Sequence, residues 1–588
     1  MNRHSIWSTT PRRVALTGSL VVMVVGGYAY RWIADDAMID FRIVDNLLHG
    51  HGPVYNVGQR VEVYTNPLWV ALLALARVLF FFLPLGTIAV LLGLVLSASA
   101  VTLAWRAFGS SVSEPRRNVI PVGLVLFCCL PATWEFVTSG LETSLSFFWI
   151  GLSASRVRQQ PRSITTALIL GCAPLVRPDL VIVAFFLGLY LLADVRREQS
   201  RRSLARAVAL LVAPTFIYEI FRVAYFGILV SNTALVKSAT SPRLDVGWNY
   251  LLDFLQPYFL LVPILGLVLW VVLGRGGSDD GHPWYRDIRG PLFLGGAINA
   301  AYIVFVGGDF MHARLLLPSF FAMMAACTLR PPRRGRPLLY AVGATYLVVL
   351  VVGLRYPAPG FEGYVMVSDE RVMQISLTHR AHPVNETDMV DSIWWQYGAR
   401  LRTIAESHSG SHSDFVVGSS PTVVTGAVNF ELQVVPTTAK LATPVVAASR
   451  TLGQVGLAAG PQVTIFDVLS LANPVSSHFA LTERTLRPGH EKEAALSWYL
   501  AQYGSSRSVG LMNYYSGFFH YPLMTGRDVR SARQALHCGQ LRWYLQSLNS
   551  PLSLHQMVSN VLHAAAWTAL SYSAEPSEAR HELCPTRR

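Results

Sequence analysis

The stretch Val14-Ala-Leu-Thr-Gly-Ser-Leu-Val-Val-Met-Val-Val-Gly-Gly-Tyr-Ala-Tyr-Arg-Trp-Ile33, running straight into Ala34-Asp-Asp-Ala-Met-Ile-Asp-Phe-Arg42, decides the fold class. A run of this length with a single charge near its end is what a helix needs to cross about 30 Å of hydrocarbon. Arg3, Arg12 and Arg13 precede it, and the aromatic Tyr28-Ala-Tyr-Arg-Trp32 at its end is no small-residue cleavage site, so it reads as an uncleaved signal anchor. Asp35 and Asp36 then fall at the membrane surface. Adjacent carboxylates near low dielectric suit a general base, a nucleophile or a metal ligand, although a solvated helix start is the plainer reading of the pair alone.

Working outward, the same apolar pattern recurs at 86–105, 118–133, 141–155, 163–176, 180–193, 207–226, 254–274, 290–306, 315–329 and 337–354. The composition agrees: 52% of the 588 residues are apolar and 14% charged, against about 25% charged in an ordinary soluble protein. The net charge of +13 is confined to the first part, with 31 basic and 18 acidic residues up to Arg355 and 17 of each beyond it. With a cytoplasmic N-terminus and eleven crossings, the inside loops carry 21 basic and 6 acidic residues, the outside loops 7 and 10. That bias is the positive-inside signal, not a nucleic-acid surface. It requires Asn66 to Phe82 to lie at the outer interface or to re-enter the membrane without crossing. The expected fold is therefore a polytopic α-helical membrane domain, 1–355, with about eleven transmembrane helices. A soluble mixed α/β extracytoplasmic domain, 356–588, follows it in the plasma membrane's outer compartment. Cys538 and Cys584, the only cysteines of that second domain, are expected to pair there.

Polar groups gather on the same outer face. They are Glu62-Val-Tyr64-Thr-Asn66, Gly140-Leu-Glu142-Thr, Arg177-Pro-Asp179, Ser231-Asn-Thr-Ala-Leu-Val-Lys237 and Gly307-Gly-Asp309-Phe-Met-His312-Ala-Arg314. Ionisable groups at membrane depth are costly and face cavities, so the set points to one polar site. Lys237, His312, Arg314 and, less directly, Arg177 have the chemistry to hold a phosphate. Asp35 and Asp36 are the catalytic carboxylates, with Glu142, Asp179, Asp309, Tyr64, Asn66 and His490 around the substrate. The last belongs to Arg487-Pro-Gly-His490, which with Arg484 and Lys492 reads as a polar loop. No nucleotide-binding glycine loop and no cysteine–histidine metal spacing occurs, so no resident cofactor is assigned; the aspartates leave room for a divalent cation. A transporter would show repeated halves with broken helices at mid-membrane, whereas these charges lie at one face.

The ordered set resembles integral-membrane glycosyltransferases of the GT-C class. Asp35-Asp36-Ala-Met-Ile-Asp-Phe-Arg42 through Tyr64-Thr-Asn-Pro-Leu-Trp69, with the later Arg487-Pro-Gly-His-Glu-Lys492, is more narrowly similar to the actinobacterial AftB family of arabinofuranosyltransferases. That resemblance spans the chain and implies a donor, decaprenyl-phosphoarabinose, and an arabinan acceptor of arabinogalactan or lipoarabinomannan. The product would carry terminal β-(1→2) arabinofuranose. A GT-C transferase of another polyprenyl-linked sugar shares the same pattern. A β-linked donor giving a β-linked product means net retention, which asks Asp35 or Asp36 to act at the anomeric carbon itself.

Overall fold

The computed structural model describes residues 10–584 apart from 109–119, 199, 238–241, 267–286, 329–336, 357–366, 409–412, 419–421, 425–426, 430, 438, 482–489, 505–507 and 517–522. The second half of the expected span 254–274, the basic residues 330–336, and Arg484 and Arg487 lie outside the described residues. The N-terminal part is helical. Its first four elements are α1 (Thr10–Ala29), α2 (Asp35–Leu48), α3 (Pro67–Leu79) and α4 (Leu85–Phe108). Among the described residues, three helices are long and apolar enough to cross a membrane: Leu85–Phe108, Pro178–Arg197 and Arg201–Phe226. Leu316–Ala326 and Ala341–Val352 are shorter apolar helices.

The outward faces carry the membrane signature. Val181, Phe185 and Leu189 are exposed on one helix, and Val208, Val212, Phe216 and Ile220 on the next. Steps of four residues put each set in a single stripe along its helix. In water such stripes would be a large uncovered apolar patch, whereas lipid solvates them. α3 is 13 residues long, about 20 Å at 1.5 Å per residue, too short to cross. It ends in exposed Phe80, Phe81 and Phe82.

The C-terminal part holds a four-stranded sheet: β1 (Asp414–Gly418), β4 (Leu432–Pro436), β5 (Val445–Ser449) and β6 (Val463–Asp467), ordered β4-β1-β5-β6. β1 is antiparallel to β4 and parallel to β5, and β5 is parallel to β6. A hairpin of β2 (Thr422–Val424) and β3 (Ala427–Asn429) stands apart from it. Val445 and Ala447 face one buried cluster and Val446 the other, the period-two alternation of a sheet covered on both sides. The first cluster is continuous with the helical part, running from Val445, Ala447 and Ile465 to Ile43 and Tyr55.

Side chains lock the two parts together. Arg42 of α2 donates from Nε to the Tyr55 carbonyl at 2.8 Å, and its terminal nitrogens reach the carbonyls of Gly456 and, at 2.6 Å, Val463. Asn56 bonds both the N–H and the C=O of Ile465 on β6, at 3.0 and 2.9 Å. The Cys538–Cys584 disulfide forms as expected, its Cα atoms 5.2 Å apart. Cys128, Cys129 and Cys327 are buried free thiols, the ordinary state of a small apolar side chain in a helical core.

Candidate active site

α2 enters the site by its first turn. The N–H groups of Ile33 and Ala34 are fixed on the carbonyls of Pro383 and Ser139, both at 2.9 Å, so Asp35 and Asp36 emerge from an anchored corner. Their carboxylates then part. The Asp35 carboxylate accepts from the backbone N–H of Gly453 (2.9 Å) and Gln454 (2.8 Å), at the start of the helix Gly453–Ala459. A helix start presents unpaired N–H groups, so this carboxylate caps it from outside. The fit requires glycine, because a Cβ at Gly453 would lie 1.9 Å from the Asp35 carbonyl oxygen. Burial nonetheless outweighs these donors and pushes the Asp35 carboxyl up to about 6.

The Asp36 carboxylate turns toward Arg314, whose Nη1 lies 3.0 Å away. Arg314 also meets Asp309 at 3.4 Å and Glu142 at 3.7 Å. Burial works against this guanidinium, but Glu142, Asp309 and Asp36 prevail and hold its proton more firmly than usual. One turn along α2, Asp40 accepts from Asn66 Nδ2 at 3.0 Å. Burial, with the charges of Glu142 and Asp36 and against the Asn66 bond, pushes Asp40 up to about 8. Glu370 accepts the Asp35 N–H at 2.7 Å and is likewise raised by burial and by Asp36. The site thus concentrates carboxyl groups, and at neutral pH Asp40 is mainly a neutral acid.

Asp35, Asp36, Asp40, Asn66, Glu142, Arg314 and Glu370 line a cavity of about 340 Å³ together with Tyr64, Lys237, Arg450, Trp394 and His490. Glu62 seats the loop that carries Tyr64, taking Arg222 at 2.7 Å and Tyr218 at 2.6 Å. Lys237 ends the short helix Asn232–Lys237, whose start the C-terminal part holds. Asn232 Nδ2 donates to the carbonyls of Ser470 (2.9 Å) and Leu471 (2.7 Å). That loop is shaped by the buried Asp467, which accepts the N–H groups of Leu469 and Ala472 at 2.8 and 2.7 Å. Lys492 Nζ reaches the Leu235 carbonyl at 2.8 Å. Among the described residues no hydrogen bond or ion pair reaches the Lys237 ammonium, so it is an uncommitted cation of the cavity. His490 sits on the opposite wall, its ring 5.6 Å from that of Phe310.

The structure brings together Asp35, Asp36, Glu142, Tyr64, Asn66, Lys237, Arg314 and His490. It sets four expected residues behind the lining. Arg177 is clasped by Asp179 at 2.9 Å and faces Glu142 at 3.8 Å. Asp179 also takes Asn299 at 3.1 Å, and Asp309 supports Arg314. His312 is spent elsewhere: its Nδ1 lies 2.6 Å from Asp253, its Nε2 is 3.1 Å from the Tyr258 hydroxyl, and Tyr356 stacks on its ring. Sequence reasoning passed over Asp40, Glu370, Trp394 and Arg450. Among the described residues no three His, Cys, Asp or Glu side chains are grouped to hold a metal ion.

Residues 393–581 match the family model of the AftB family C-terminal domain. The chain is 29% identical to the terminal β-(1→2)-arabinofuranosyltransferase of Mycobacterium tuberculosis, over 99% of this chain and 97% of the relative. It is 30% identical to the protein of the same name from Corynebacterium glutamicum, over 98% of this chain and 90% of the relative. No solved structure matches it. An apolar-faced helical body with a carboxylate-rich cavity, and relatives of one activity along its whole length, define a membrane glycosyltransferase. Within that class, the chain belongs to the AftB family of arabinofuranosyltransferases.

Proposed function

We propose that this enzyme transfers arabinofuranose from decaprenyl-phosphoarabinose to the non-reducing ends of arabinan, forming terminal β-(1→2) linkages in arabinogalactan or lipoarabinomannan. The observation that carries the reading is the Asp36–Arg314 pair, 3.0 Å apart, in a cavity that also holds the uncommitted Lys237. A sugar phosphate needs a carboxylate where positive charge develops and a cation where the phosphate departs. Asp36, oriented by Arg314, supports the oxocarbenium-like charge at the anomeric carbon as the bond to the phosphate oxygen breaks, and the departing phosphate, held by Lys237, accepts the proton of the acceptor hydroxyl that bonds the same face of that carbon. Asp40, neutral at pH 7, donates a hydrogen bond toward the reacting sugar. Asp35 keeps the C-terminal part seated over the site. Because the carboxylates are tied to the start of an external loop, the sugar arrives on a membrane lipid with its prenyl chain between helices.

In this reading residues 1–355 form a domain of eleven crossings with a cytoplasmic N-terminus, and 356–588 form the extracytoplasmic domain. The charge bias of the loops supports it, as does the disulfide, which persists in an oxidising compartment. Purified protein incubated with decaprenyl-phosphoarabinose and a synthetic arabinan acceptor is expected to yield a β-(1→2) product by anomeric analysis. No transfer from that donor by folded protein rejects the assignment. A membrane-impermeant thiol reagent is expected to label Ser407→Cys in whole cells and to miss Arg202→Cys; the reverse pattern inverts the topology.

A further inference from the structure

Behind α2 lies a second cavity of about 1010 Å³, roughly three times the first, and none of the groups assigned to catalysis lines it. α2 is the partition. Asp36 and Asp40 face the first cavity, while Met38, Phe41, Asp45 and Leu48 face the second. The far wall comes from the C-terminal part, with Trp395, Arg402, Glu406 and Gln462, and the floor from Arg77, Phe81 and Leu85.

The character of the walls selects the occupant. Asp45 pairs with His49 at 3.2 Å, Arg402 donates to the Leu457 carbonyl at 3.1 Å, and Arg77 is committed to the Phe81 and Leu83 carbonyls. Among the described residues Glu406 has no hydrogen bond or ion pair. Glu386 adds a third carboxylate, raised above its ordinary value by partial burial. Carboxyl groups are at least as many as guanidinium groups, so nothing here draws a polyanion or a free phosphate headgroup. Acyl chains alone would leave those charges unanswered. A glycan answers both walls: its hydroxyls donate to carboxylates and amides, and the C–H faces of its rings lie on Trp395, Phe41 and Leu457.

We propose that this cavity binds the body of the acceptor glycan, a neutral polyhydroxylated oligosaccharide, several residues inward from the end that enters the first cavity. The proposal rests on the transferase reading above and adds a second subsite to it. The chain passes round α2, about 10–12 Å across with its side chains, so only an acceptor of several sugars occupies both. The size of the space fits, since ligand cavities run to about 1,000 Å³.

The test compares an arabinofuranosyl disaccharide with a linear hexasaccharide, on wild type and on Glu406→Gln, Arg402→Ala and Leu48→Trp, three changes at exposed positions. The readout is the ratio of kcat/KM for the long acceptor over the short one. Wild type is expected to favour the hexasaccharide by about tenfold or more, and each variant to bring the ratio toward unity, a difference worth about one decade of affinity. Hexasaccharide binding by calorimetry, with no donor present, is expected to weaken in parallel. A ratio that stays within about twofold of wild type, with unchanged binding, overturns the subsite. So does a common loss on both acceptors that added phospholipid restores, which would mark the cavity as a lipid seat. Should wild type transfer nothing to either sugar, the transferase reading fails, and the binding measurement alone then decides the cavity.

Discussion

Asp36 and Asp35 are neighbours in the chain with opposite assignments. In the proposed mechanism Asp36 stands at the reacting sugar, so Asp36→Asn is expected to lower kcat by about a hundredfold or more, on the scale of losing one charge-stabilising group. Steady-state assay of protein that elutes and melts like wild type checks it. Asp35→Asn is expected to act differently, lowering the melting midpoint, since its carboxylate holds two backbone N–H groups of the C-terminal part. Asp40 gives a pH signature. With its carboxyl up at about 8, the neutral form dominates below that pH and is lost above it. Activity is expected to fall as pH rises through about 8, and Asp40→Asn, neutral at every pH, is expected to keep activity and lose that alkaline limb. A pH–rate profile of the two proteins decides it. This acid was within reach of the sequence, because Asp36 and Asp40 stand four apart and so share a helix face. Glu370 was not: it meets Asp35 across 335 residues of chain, and no local pattern marks such a contact.

Among elements, the helix Asn232–Lys237 shows how a short segment is aimed. At six residues it has no stability of its own, and its direction comes from Asn232 and from the loop shaped by Asp467. Asn232→Ala is expected to raise the donor KM by about tenfold while kcat changes less, because Lys237, which takes the phosphate in the proposed mechanism, is loosened and the carboxylates are not. Initial rates against donor concentration separate the two. The polar motif at 231–237 was legible as a site segment; its support was not, since Ser470 and Leu471 lie more than two hundred residues away. His312 shows the opposite failure. Its motif delivers Arg314 to the cavity, yet Asp253, Tyr258 and Tyr356 absorb the ring, and partners of that kind cannot be read from spacing.

At the scale of the whole molecule, apolar runs announced a membrane body, and among the described residues three helices are long and apolar enough to cross. The C-terminal sheet, built from short strands of mixed character, was legible only as mixed α/β. Its order depends on pairings between distant segments. The Cys538–Cys584 bond closes the last helices of this part onto one another. Cys538→Ser with Cys584→Ser is expected to lower its unfolding free energy by about 2–4 kcal/mol. Denaturant unfolding followed by tryptophan fluorescence measures it.

The Asp35–Gly453 contact also carries a consequence for biogenesis. The acidic corner of α2 is synthesised within the first tenth of the chain, and the backbone that seats it arrives more than four hundred residues later. During translation the acidic turn therefore waits, unsupported and without its far wall, until the sheet and the helix Gly453–Ala459 have emerged. A nascent or truncated chain that stops short of Gly453 thus lacks the far wall of the cavity, and under the proposed function it is expected to transfer no sugar until the last third of the polypeptide is in place.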